Sequence, residues 1–263
     1  MASAPNANLP LFYKSLVPLN SNQHGAFKAK STDKAPWLAA EHAIPLTVEE
    51  FPMAQRHFPI IFSGGENPVP LALMGLNEGV NTFFDEEGTM TTPCYVPAYV
   101  RRYPFLLAKL QPDSEQLSLC FDLESGLVGE FEEGEALFAE DKPTEATQNI
   151  LKFNENFEQA GHKTKAFIDE LKKHDLLMDG EVSIGRDGAA PFVYRGFRMV
   201  DQNKLKEVRG DVLRTWNQNG LLALVFAHLF SLDLMREVFS RQVAMGKGPT
   251  PQPAPAPANS GDA

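Results

Sequence analysis

The feature that most constrains this chain is a change in the period of its apolar residues at Pro143. Before it, apolar residues come in short runs closed by Gly, Pro or Asn: FPIIF at 58–62, VPLALMGL at 69–76, NTFF at 81–84, then YPFLLAKL and LSLCFDL. Runs of that length between turn residues predict strands. Residues 106–110, the polar QPDSEQ at 111–116 and residues 117–123 predict a hairpin, whose neighbours extend an antiparallel sheet. After Pro143, Ile150, Phe153, Phe157, Phe167 or Ile168, and Leu171 recur at helical steps. That spacing predicts an amphipathic helix, with Pro143 in its first turn, Gly161 as an interruption, and Lys172, Lys173 and His174 at its negative pole.

A second short β region, EVSI from Glu181 and PFVYRGFRMV from Pro191, brackets the turn-like GRDGAA. The stretch beyond Asp201 predicts two or three helices, with Asn219 and Gly220 as a stop. The expected fold is α+β: a mainly antiparallel sheet from residues 55–125 in the first half, packed against helices from the second half. Residues 1–35 form an extended N-terminal arm, 36–245 a single globular domain, and 246–263, GKGPTPQPAPAPANSGDA, a disordered Pro/Ala-rich tail.

The chain has 263 residues, 43% of them hydrophobic, enough for a large core without metal or disulfide support. Its 24 Lys and Arg against 34 Asp and Glu leave a formal charge of −10. That balance repels a phosphate backbone and argues against a nucleic acid partner. The N-terminal stretch lacks a basic start followed by an apolar run, so the cytoplasm is the expected location. The 13-residue segment at 220–232 is too short for membrane insertion and fits a buried helix. Cys94 and Cys120 lack metal-ligand spacing and read as buried thiols.

Tyr95, Pro97, Tyr99, Arg101, Arg102, Tyr103, Pro104 and Phe105 concentrate cations and aromatic rings in eleven residues. Arginine forks pair with carboxylate or phosphate, and ring faces stack on planar or sugar-like ligands. This block, with His57 beside it as a ligand or base, is the candidate site for a small anionic or aromatic ligand. The bland reading pairs both arginines with the acidic run at 122–141 and places the rings in the core. Six histidines are scattered without a metal-binding pattern; His228 on the apolar helix fits a core histidine and His24 a loop. No catalytic residue, metal site or cofactor is expected: phosphate-loop, dinucleotide-binding and nucleophile-elbow patterns are missing, and the acidic run reads as a solvated loop.

Several stretches in order, FPMAQRHFPIIF, PVPLALMGLNEGVNTFFDEEG, YVPAYVRRYPFLLA, LSLCFDLES, FRMVDQNKLKEV and GLLALVFAHLFSL, resemble the SapC family of bacterial proteins over about residues 15–235. The resemblance implies a surface-layer association and brings no agreed catalytic residues. Similar proteins are often encoded near outer-membrane receptors and flavin-dependent halogenase-like proteins, which implies an envelope or nutrient-uptake setting. The resulting expectation is a non-catalytic accessory or binding protein, acting on a protein partner or a small ligand. The competing classes are an enzyme or enzyme partner, metal- or flavin-system-associated, and a self-assembling homo-oligomer.

Overall fold

The computed structural model describes residues 9–111, 116–186 and 189–248. In chain order, β1 (Leu16–Pro18), α1 (Ser21–His24) and β2 (Lys28–Ala29) come first, then β3 (Ala43–Pro45), α2 (Phe51–Ala54), β4 (Ile60–Phe62) and β5 (Pro70–Leu73). The one-turn helix α3 (Ala98–Arg102) precedes β6 (Phe105–Lys109) and β7 (Leu117–Asp122). Short strands β8 (Val128–Gly129), β9 (Glu135–Ala136), β10 (Phe138–Ala139) and β11 (Lys142–Pro143) lead into α4 (Glu145–Lys173). After β12 (Leu177–Arg186) and β13 (Ala189–Val200) come α5 (Gln202–Glu207), α6 (Gly210–Gln218), α7 (Leu221–Ser231) and α8 (Met235–Ala244).

The architecture is α+β, with every strand pair antiparallel. The main sheet has the order β12-β13-β4-β5-β3. Its two longest strands come from the second β region read around 181–200, so the sheet is not built mainly from residues 55–125. The expected hairpin forms between β6 and β7, with Leu106 opposite Cys120, but in a separate sheet of order β1-β7-β6. Residues 112–115 of its turn, and 187–188 of GRDGAA, lie outside the described residues.

NTFF at 81–84 forms no strand. The buried Asn81 side chain donates to the carbonyls of Leu38 and Glu41 and accepts from the amides of Phe83 and Phe84. A short amide that satisfies neighbouring backbone in this way competes with ladder pairing.

Helix α4 runs 29 residues through Gly161 without a break. Thr144 caps it, accepting from the Thr147 amide, while Pro143 lies outside the helix in β11, where its missing N–H costs no helical bond. The buried face, including Asn154, Ala160, Phe167, Ile168 and Leu171, packs on β6 and on the turn at Val48–Glu50. Phe167 also meets the Phe62 ring of β4, so this helix touches both the main sheet and the sheet that holds β6.

Among the described residues, four α-helices rather than two or three follow the main sheet. Gly220 adopts φ +82° and separates α6 from α7. Fully buried His228 on α7 sits 2.7 Å from the Ile60 carbonyl through Nδ1 and accepts from the Val200 amide through Nε2 at 3.1 Å. Because Nε2 accepts, the proton resides on Nδ1 and is donated to Ile60. Ser231 accepts from the Ile60 amide at 2.8 Å. Helix α7 is thus pinned to β4 and β13. Most of the segment read as a tail, residues 249–263, lies outside the described residues.

Burial lowers the His228 pKa to about 4. The unfolded chain takes up this proton near pH 6.5 and the folded chain only near 4, so this stabilisation is complete above 6.5 and lost as pH falls toward 4. Urea midpoints measured between pH 7.5 and 4.5 should record a loss of about 3 kcal/mol from this group; His228→Leu should flatten that slope. A second outcome concerns Gly88, at φ +77°, whose carbonyl accepts from the Ala35 amide and whose added Cβ would lie 2.1 Å from the Ala35 carbonyl carbon. Gly88→Ala should cost about 2 to 4 kcal/mol in the same assay.

Candidate functional site

Residues 95–105 are organised by a carboxylate that the motif reading overlooked. Glu50 is buried, and its Oε2 accepts from the amide and hydroxyl of Thr47. Its Oε1 accepts from the Ala98 amide at 2.6 Å and from the Tyr95 hydroxyl at 3.1 Å. The start of α3 is therefore held by a charge-assisted acceptor, which fixes where the two arginines emerge. The signal was present as TVEE, a Thr followed three residues later by Glu, the pattern of a reciprocal helix cap.

The two arginines have different surroundings. Arg101 is exposed, with Nε donating to the Val96 carbonyl at 3.1 Å and Nη2 to the Tyr95 hydroxyl at 3.0 Å. Arg102 is only 8% exposed, its guanidinium carbon 4.4 Å from the Tyr99 ring centre and 4.3 Å from that of Phe157. Its carboxylate partner is Glu158 on α4, at 3.7 Å. Among the described residues, neither arginine pairs with the acidic run at 122–141.

Tyr99 donates to the Leu11 carbonyl, and Tyr103 donates to Asp122 at 3.0 Å. Fully buried Asp122 also accepts from the amides of Lys14, Ser15 and Glu124. Burial pushes the hydroxyl pKa values of Tyr95, Tyr99 and Tyr103 upward. At neutral pH all three act as hydrogen-bond donors.

Three cavities meet at Arg101. The first, about 430 Å³, lies between the β2 and β9 backbones, the α3–β6 corner and α4, and is lined by Lys30, Arg101, Arg102, Phe105, Glu135, Ile150, Phe153 and Asn154 among others. The second, about 370 Å³, shares Lys30, Arg101 and Tyr103 and reaches Trp37 and Phe84. The third, about 270 Å³, includes Glu50, Tyr95, Ala98 and Phe157. Two buried polar atoms on residues lining the first cavity, Arg102 Nε and Asn154 Oδ1, have no hydrogen-bond partner.

The structure brings Tyr95, Tyr99, Arg101, Arg102 and Tyr103 together but leaves His57 apart. His57 is half-buried in the turn from α2 to β4, with its ring beside Phe58, and lines none of these three cavities. Lys30 and Asn154 join the site without having been singled out from sequence. The acidic side chains at 130–135 are exposed, and no cluster of metal-ligating side chains occurs among the described residues. Both cysteines are free thiols, with burial raising Cys94 to about 11 and raising Cys120 as well. Buried His24 accepts from the Asn20 amide and packs on Phe27 and Phe121. No described helix is long and apolar enough to cross a membrane.

Neither the curated proteins nor the solved structures contain a match to this sequence. The family model of SapC matches residues 19–238, a span that includes α3, the β6–β7 hairpin and the whole of α4. With that match across most of its length, the chain belongs to the SapC family.

Proposed function

We propose that the protein is an accessory binding protein, non-catalytic, acting in the envelope or surface-layer setting that the family resemblance implies. Its ligand is a small anion bearing a ring, taken up beside Arg101. The observation that carries this reading is the exposed Arg101 guanidinium, braced by Tyr95 and Val96 on a wall common to three cavities. A guanidinium fixed by a neighbouring backbone carbonyl and a tyrosine is already oriented, so less freedom is lost when an anion docks. The first cavity, about 430 Å³, falls in the range of small-molecule pockets. Tyrosines held as donors suit recognition better than proton abstraction. The net charge of −10 supports a partner other than nucleic acid.

Benzoate is a suitable probe, titrated into the ¹⁵N-labelled full chain while the Nε–H resonances of Arg101 and Arg102 are followed. Both should shift. Arg101→Ala, with an unchanged melting temperature, should weaken benzoate binding about tenfold or more. Equal affinity in the folded variant would refute this reading.

A further inference from the structure

We propose that another cavity, between the β3–β5 edge of the main sheet and the middle of α4, is a binding site for a small uncharged apolar molecule. It is separate from the anion-binding reading above, and neither depends on the other. Its volume, about 480 Å³, falls in the range of small-molecule pockets.

The inference begins with Gly161. It lies in the interior of the 29-residue helix α4, where glycine is less favourable than a residue with a side chain. Local geometry does not ask for it. Its φ is not left-handed, and a Cβ added there would meet nothing within 4 Å. Phe157, Gly161, Thr164, Ile168 and Lys172 line the cavity at steps of three and four residues, so they form one stripe along the helix. Gly161 is the gap in that stripe, and the side chain it lacks leaves room in this cavity.

The rest of the wall indicates what fits. Pro45, Pro68 and Pro70 have no amide to donate, and Leu46 and Val69 add side chains without polar atoms. Val69 is 45% exposed although Pro68 and Pro70 beside it are buried. Tyr99 and Phe157, the rings that flank Arg102, supply aromatic surface. Most polar side chains on the wall are already engaged. Thr47 donates to Glu50, Tyr99 to the Leu11 carbonyl, and Thr164 to the Ala160 carbonyl while accepting from the Val48 amide. Lys165 pairs with Asp169, and Lys172 donates to the Glu66 carbonyl. Exposed Asn67 is left to meet a single polar group of a ligand. A charged ligand would give up hydration here for little return, whereas an apolar one takes its own surface and that of the wall out of water. An extended peptide is disfavoured, because the edge strand β3 is three residues long and ends on Pro45, which offers no donor to a further strand.

The test titrates 1-octanol and octanoate separately into the full chain carrying ¹³C-labelled methyl groups. Octanol should shift the methyl resonances of Leu46, Val69 and Ile168, and octanoate should bind about tenfold more weakly or worse. Gly161→Leu should raise the melting temperature, since helix propensity improves and the space is free, and should weaken octanol binding about tenfold or more. The benzoate response of Arg101 should be unchanged in that variant, so the two readings stand or fall separately. Octanoate binding as tightly as octanol would overturn the uncharged assignment. Unmoved Val69 and Ile168 methyls in octanol-saturated buffer, or equal octanol affinity in folded Gly161→Leu, would overturn the site. Self-association of the chain that covers the same methyls would overturn it too, by making a second copy the occupant. Where Gly161→Leu does not fold, the native titration decides binding and Gly161→Ala decides the gap: a raised melting temperature supports it, and a lowered one would show a glycine required by packing.

Discussion

The candidate site depends on one buried cation. Taking a guanidinium out of water is costly unless its charge and its N–H groups are answered inside the protein. For Arg102 the answer is distributed: two ring faces at 4.3 and 4.4 Å, a third from Tyr13 at 5.9 Å, and a carboxylate at 3.7 Å. Those partners come from α3 itself, from α4 and from the segment before β1. The cation therefore joins three parts of the chain that are far apart in sequence. Delocalised charge on a planar group suits this role, since a lysine ammonium cannot lie flat between two rings.

The segment before β1 is held over the same site by bonds that leave it little freedom. Leu11 accepts from Tyr99, Tyr13 donates to the Phe105 carbonyl, and the Lys14 and Ser15 amides converge on Asp122. Phe12, at φ +79°, packs its ring against both Tyr99 and Tyr103. A bulky residue in the left-handed region is strained, and the aromatic contacts on either side are what hold it there. Farther along, Ala29 and Lys30 form a cavity wall, so the N-terminal segment both locks the arginine block and shapes the space beside it.

What was legible in the sequence follows from which interactions are local. The hairpin at 105–122 and the helix at 145–173 were visible because short apolar runs between turn residues and a helical period are written into consecutive residues. The pairing of β13 with β4 was not visible, since only Arg198 opposite Phe62 records it and more than a hundred residues intervene. The block at 95–105 stood out by composition, but composition could not say that Arg102 is buried and Arg101 exposed. Neighbours on a helix point about 100° apart, and burial is decided by what packs there. Asn154 escaped notice because periodicity is read from apolar residues. It lies four residues after Ile150 on the same buried face, where a polar side chain is the informative exception.

A cationic cavity in a chain of charge −10 is not a contradiction, because the two act over different ranges. Exposed charges are screened within about 8 Å at physiological ionic strength, whereas the buried Arg102 is answered at contact by two rings and by Glu158. The acidic loop still matters, since Glu135 lines the cavity and Glu132 and Glu133 are exposed nearby in sequence. The positive potential at this wall is thus a local property, set by residues on separate elements that only the folded chain brings together.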